Sequence, residues 1–251
     1  LAGRPSNGKS SVAYNFAKWG VDRQSRPATD PRPMLFCPFE MGNDAAQDAL
    51  IARAARVDVA TLIKSPKKLT WEEQARVAVA LDTYVASPCL EWFDEPGTSL
   101  ERLEEVLSSA TEPDGRGGRR TKYGLVAVDL FDNTLPDLKP ETITMQLKRT
   151  KDLGKEYGCH FLLLAQIKRG VEKRGDKRPT REDIKSSGGF EEVADQILGV
   201  HRERAYDPDL EDDTIELGIL KQRLGAFGTW LSYAYNAPMF EVGAFKESSR
   251  E

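Results

Sequence analysis

Apolar residues recur along this chain at two different spacings. Val12, Phe16 and Trp19 repeat at helical intervals and predict a helix over 9–19 with one apolar face. Residues 33–38 form a short apolar run bounded by prolines, the signature of a buried strand. Helices are predicted over 43–56, 59–64 and 70–86, the last opening on a Thr70/Glu73 capping box. Strand 90–93 and helix 99–110 follow, the helix carrying Leu100, Leu103 and Leu107 on one side. Residues 123–130 form a continuous apolar run closing on an acid, Asp129, and 160–165 a second run, the two flanking a helix over 141–157. Continuous apolar strands alternating with helices imply a parallel sheet covered on both faces. From about residue 196 the pattern changes to strands at 196–203, 214–221 and 227–235 joined by short turns. The expected fold is α/β, one domain over 1–251, with a mostly parallel sheet and an antiparallel C-terminal end. The polar stretches 20–32 and 112–122 read as loops, the second rich in Gly and Arg.

Composition narrows the possibilities. Apolar residues make up 39% of the 251 and charged residues 30%, a globular balance, with a net charge of −4. The apolar run Phe161–Ala165 is five residues long, far short of the roughly 20 needed to span a bilayer. Cys37, Cys89 and Cys159 are scattered and never spaced C-x-x-C, so a disulfide framework or zinc knuckle is not expected and a reducing, cytoplasmic setting fits. Leu1-Ala2-Gly3 reads as the end of a strand already in progress, so the chain is taken as a fragment of a longer protein. Phe131, Trp71 and Trp92 are expected in the core, and Cys159 and His160 as packing residues of a buried strand.

Gly3-Arg4-Pro5-Ser6-Asn7-Gly8-Lys9-Ser10 satisfies G-x-x-x-x-G-K-[ST] in full. Glycines let backbone N–H groups curl around phosphate oxygens, and the helix that follows adds its positive N-terminal dipole. Lys9 would reach the β/γ-phosphates and the Ser10 hydroxyl would hold Mg²⁺. Leu125-Val126-Ala127-Val128-Asp129 is an apolar strand ending in an acid, the place of a metal-orienting carboxylate. Asp132 is either a solvated loop acid or part of the metal's surroundings. Glu40 follows the strand at 34–37, and a carboxylate there faces the ligand crevice of an open α/β sheet. By pattern alone Glu40 is either a water-activating base or a helix-capping acid. Gln166, just past the strand 160–165, is either a γ-phosphate sensor or an ordinary strand terminus.

Taken in order, these segments resemble the C-terminal ATPase domain of DnaB-type replicative helicases, a branch of the RecA-like P-loop NTPases. GRPSNGKS is similar to that family's A-R-P-S-x-G-K-[ST], and PFEM at 38–41 to its S-L-E-M. LLLAQIKR at 162–169 resembles its third motif, and KRPTREDIKSSGGFEEVADQIL at 177–198 its K-R-P-to-S-G segment. LKQRLGAFGT at 220–229 is similar to its K-Q-R-N-G-x-x-G-T. The chain departs from the pattern at Pro38-Phe39, Lys185, Ser186 and Leu224.

The resemblance implies that Glu40 is the catalytic base. It also implies that Lys221 and Arg223 reach into a neighbouring subunit's ATP site, Arg223 as an arginine finger. The alternative is a solvent-facing pair on an edge strand. By the same resemblance Lys185, Ser186 and Gly188 line a channel and grip single-stranded DNA. The residues agree: 168–185 carries eight basic and four acidic side chains, with few aromatics for base stacking. Gly188-Gly189 would let the backbone approach a phosphate. The implied protein is an ATP- and Mg²⁺-dependent helicase motor in a hexameric ring on single-stranded DNA, with primase and a helicase loader as further partners. The rivals are a RecA/RadA-type recombinase and a non-hydrolysing ATP-binding ring component.

Overall fold

The computed structural model describes residues 1–22, 32–184, 187–211 and 213–246. The chain runs β1 (Ala2–Gly3), α1 (Lys9–Asp22), β2 (Met34–Cys37), α2 (Asn43–Ala55), α3 (Val59–Lys64), α4 (Trp71–Ala80), β3 (Leu90–Trp92) and α5 (Leu100–Ser109). It continues through β4 (Thr111–Pro113), β5 (Arg119–Thr121), β6 (Leu125–Val128), α6 (Pro140–Glu156), β7 (His160–Leu163) and β8 (Ala165–Gln166). Last come α7 (Ser187–Val193), β9 (Gln196–His201), β10 (Thr214–Gln222), β11 (Trp230–Asn236) and β12 (Glu241–Lys246).

Two ladders share one surface. Strands β3-β2-β6-β7 are parallel, and β8-β1-β9 are parallel beyond them. Leu164 joins the two: its N–H donates to the Val128 carbonyl, while the next N–H, of Ala165, donates to Leu1. Strands β10, β11 and β12 then add in antiparallel order, the first two of them expected from the change of pattern near residue 196. In β2, Met34 and Phe36 pack with α1 and α2, while Leu35 and Cys37 pack with α5 and α6 on the other face. That double coverage is why the strand reads as an unbroken apolar run.

The helices start where their caps predict. Thr70 and Glu73 exchange the two hydrogen bonds of the capping box, at 2.8 and 3.2 Å. Ser99 caps α5, whose Leu100, Leu103 and Leu107 are buried against Leu35, Val126 and Leu153. Leu107→Ala opens a cavity there and is expected to cost about 2–5 kcal/mol of stability. The check is chemical denaturation; a loss below about 0.5 kcal/mol, the range of ordinary surface changes, would show that this seam does not hold the sheet.

Some expectations are corrected. The segment 112–122 is not a plain loop: β4 and β5 form a hairpin, with the Asp114 carboxylate accepting from the N–H groups of Arg116 and Gly118 to close its turn. The helix over 70–86 ends as α at Ala80 and continues as a π-helical turn over Leu81–Val85. Trp71 is 79% exposed, because it opens α4 on the side away from the α2 contact. Trp92 is only half-buried against Phe36, while Phe131 and Cys159 are core. His160 is exposed at the start of β7. Gly188 and Gly189 lie in helix α7, not in a loop. Gly189 is needed for packing, since a Cβ there would run into the Thr144 side chain on α6. Strand β12 had no expectation. Most of the stretch 20–32 lies outside the described residues.

Candidate nucleotide site

Four segments reach the carboxyl end of the parallel sheet together. Gly3 is in register with Gln166 across β1 and β8, and Cys37 with Val128 across β2 and β6. Because β7 pairs with β6 and runs on into β8, the P-loop, Glu40, Asp129 and Gln166 emerge on neighbouring strands at one edge. Open α/β sheets bind ligands at such an edge.

The loop 3–10 is shaped for a close-fitting anion. Gly8 has φ +89°, and a Cβ there would meet Ile215 at 2.7 Å. At Gly3 an added Cβ would sit 2.9 Å from the Val200 carbonyl. Only glycine fits either position. Asn7 N–H donates to the Arg4 carbonyl at 3.3 Å, which closes the turn, and α1 begins at Lys9. The Lys9 ammonium donates to the same Arg4 carbonyl at 3.2 Å. Burial lowers the Lys9 pKa, opposed by the carboxylates of Asp129 and Glu40. A buried lysine so placed gains from any phosphate that replaces the carbonyl.

Asp129 is 2% exposed. Burial pushes its carboxyl up to about 6, with the nearby Glu40 adding and the Ser10 hydroxyl and Lys9 ammonium opposing. Its Oδ1 is buried and has no hydrogen-bond partner among the described residues. A divalent cation supplies what that oxygen lacks, so Ser10 and Asp129 fit Mg²⁺ held beside a phosphate. Glu40 is exposed, and its N–H donates to the Asp129 carbonyl at 2.9 Å, which ties the two acidic turns together. Glu40 also acts electrostatically on Lys9 and on the buried Tyr14. A cavity of about 680 Å³ lined by His160, Leu162, Gln196 and Leu198 opens elsewhere and includes none of residues 3–10.

Lys221 and Arg223 are at the opposite end of the sheet. Strand β9 is parallel to β1, and β10 runs back along it so that Gln222 pairs with Gln196 at the amino end of β9. Lys221 Nζ donates to the carbonyls of Glu191 and Ala194, where α7 ends. The Arg223 guanidinium pairs with Asp195 at 2.9 Å and donates to the Glu192 carbonyl at 3.1 Å. Neither side chain turns into the core of its own chain, and neither reaches its own P-loop. Gly188 is exposed on α7; Lys185 and Ser186 lie outside the described residues.

Several contacts to the P-loop have no local signal. Asn7 Nδ2 donates to Tyr206 Oη at 3.3 Å, Ser11 Oγ shares a hydrogen bond with Tyr235 Oη at 2.7 Å, and Arg4 pairs with Glu172. Their partners are between 168 and 224 residues away, so no spacing rule finds them.

Known proteins share both the sequence pattern and the architecture. Residues 1–241 match the family described as DnaB-like helicase C terminal domain. The chain is 28% identical over 233 residues to the replicative DNA helicase DnaB of Haemophilus influenzae, covering 91% of this chain and 47% of that protein. It is 26% identical over 235 residues to the replicative DNA helicase DnaC of Bacillus subtilis, covering 91% and 48%. The chain thus spans about half the length of these curated relatives. Two solved structures share its fold at a TM-score of 0.82. One, an ATPase domain, is 23% identical, the match covering 98% of this chain and 83% of that one. The other, a DnaB-like replicative helicase studied with primase, is 24% identical, with 96% and 57% covered. The RecA-like arrangement expected from the motifs is therefore the fold observed, and this chain belongs to the DnaB-like helicase C-terminal domain family.

Proposed function

We propose that this chain is the ATP-hydrolysing motor domain of a ring-forming replicative DNA helicase. One observation carries the reading. The P-loop, Glu40, Asp129 and Gln166 share one end of the sheet, while Lys221 and Arg223 stand at the other. A single copy therefore holds most of a hydrolytic site and a cation pair that it cannot use on itself. Head-to-tail assembly brings the two ends together at each subunit boundary and closes into a ring when the rotation allows.

In this arrangement the amides of residues 3–10 and the Lys9 ammonium hold the β- and γ-phosphates. Ser10 and Asp129 would hold Mg²⁺, which when bound would neutralise charge on the phosphates. Glu40 accepts the proton of the attacking water, and Gln166 faces the γ-phosphate from the adjacent strand. Lys221 and Arg223 of the neighbouring copy stabilise the charge that builds up as the bond breaks. The basic stretch 168–185 and residues Lys185, Ser186 and Gly188 face the phosphates of single-stranded DNA without reading its sequence. A six-membered ring, primase and a helicase loader belong to the same reading of the whole protein. The free cysteines suit the reducing cytoplasm, and among the described residues no helix is long and apolar enough to cross a membrane. Family membership favours this motor over a recombinase, and Glu40 beside the P-loop favours hydrolysis over a purely regulatory nucleotide site.

The direct test is phosphate release by the protein at its natural length, with and without single-stranded DNA. Lys9→Ala removes the phosphate-facing ammonium and is expected to lower DNA-stimulated turnover by at least about 100-fold. Undiminished turnover in that variant would refute the assignment.

A further inference from the structure

Arg4 is the second residue of the P-loop, yet its side chain leaves the pocket. Its Nε donates to Glu172 Oε1 at 2.9 Å, its Nη2 lies 2.7 Å from the same oxygen, and its Nη1 reaches the Ile167 carbonyl at 3.4 Å. The Arg4 side chain is 15% exposed and that of Glu172 44%, so the pair stands at the edge of solvent, fixed on one side by the buried guanidinium stem. Glu172 sits on the short helical turn Arg169–Lys173, at the root of the basic stretch that ends at Lys185.

That stretch is folded back on itself. Ile167 bridges Ile184 in antiparallel fashion, and the Lys168 N–H donates to the Asp183 carbonyl at 2.7 Å. The Lys168 ammonium donates to the Glu182 carbonyl at 3.0 Å. Asp183 is held in turn by Arg174 at 2.8 Å and by the Thr180 N–H at 2.7 Å. Ile184, immediately before the first expected DNA-gripping residue, is thus one bridge away from the carbonyl that Arg4 touches. On the nucleotide side, Lys9 donates to the Arg4 backbone carbonyl. A phosphate that draws Lys9 away removes that donor from the residue whose side chain holds Glu172.

We propose that Arg4 and Glu172 form a positioning pair that couples nucleotide occupancy of the P-loop to the setting of segment 167–184, and through it to the grip on DNA phosphates. The proposal deepens the motor reading and rests on it. Coupling between two binding sites is reciprocal, and is typically about 5–150-fold in affinity. A pair that serves only local stability would shift both affinities together and leave their ratio alone.

The test uses the protein at its natural length, an oligothymidylate labelled with a fluorophore, and a non-hydrolysable ATP analogue. The DNA Kd is measured with and without the analogue, and the analogue Kd with and without DNA. In the parent protein both ratios are expected to agree and to be about fivefold or more. Glu172→Gln keeps size and hydrogen bonding but removes the charge. It is expected to bring both ratios down at least threefold toward one, with the analogue Kd in the absence of DNA changed less than twofold. Glu172→Asp is expected to recover part of the coupling. Unchanged ratios in Glu172→Gln would overturn the proposal, as would a loss of analogue binding without DNA. If the parent protein bound the analogue but no DNA, the motor reading would fail first, and the pair's role with it.

Discussion

Glu40→Gln is expected to lower steady-state ATP turnover by about 10²–10⁴-fold, the usual contribution of a positioned general base, while nucleotide affinity stays within about twofold. The amide keeps the shape of the side chain and its place in the turn, because that place is set by the backbone bond from Glu40 N–H to the Asp129 carbonyl. What it loses is basicity toward a water in line with the γ-phosphate. Glu40 is exposed, so its amide would stay in water, and what changes nearby is the electrostatic support that its charge gives the Lys9 ammonium and its push on the Asp129 carboxyl. The variant should fold as the parent does, unlike one at the buried Asp129. Phosphate release and titration with a fluorescent nucleotide separate the two effects. Retained turnover would remove Glu40 from the chemistry and leave it an acid of the exposed turn, since the cap position of α2 is Gly42 and the Asn43 N–H donates to Asp94 instead.

Arg223→Ala is expected to cost about 10³–10⁵ in turnover of the assembled protein, the range found for arginine fingers. The loss should leave nucleotide binding by a dilute, unassembled subunit unchanged. The reason is the geometry: Arg223 lies at the amino end of β9, across the sheet from the P-loop, and pairs with Asp195 at 2.9 Å when the chain is alone. The sharper measurement is complementation. A subunit carrying Arg223→Ala retains Glu40, and one carrying Glu40→Gln retains Arg223. Mixing the two dead proteins should restore activity, because half of the seams between unlike neighbours then join an intact base to an intact finger. Recovery is expected to disappear on dilution. A mixture as inactive as its parts would show that the site is not shared between copies. Lys221 is a less clean probe, since its ammonium already closes the end of α7 through the Glu191 and Ala194 carbonyls.

The elements that the sequence made legible share a physical character: each is set by residues close together in the chain. The P-loop, the capping box at Thr70 and Glu73, and the face of Leu100, Leu103 and Leu107 depend on spacings of three to seven residues. The chain itself carries those constraints, through backbone conformation and the pitch of a helix. The acids at strand ends were legible for a related reason. In a parallel sheet every strand delivers its next residue to the same edge.

Other features appear only once distant segments meet. Nothing local distinguishes Trp71, 79% exposed, from Phe131, 1% exposed. Gly189 looked like freedom for a backbone and is clearance for Thr144 on another helix. The Asp114 turn that makes a hairpin of 112–122 was hidden among charges and glycines that read as a loop.

The amino-acid order alone made legible the phosphate loop, the central parallel strands with the helices between them, and an acid just beyond each of two of those strands. Folding decided which of these chemistries a single copy can use. It set Arg4 against Glu172 across 168 residues and carried Lys221 and Arg223 to the far end of the sheet. Local patterns encode which way a side chain faces along its own element, whereas the partner it meets is chosen by strand order and direction, which no short stretch of sequence contains.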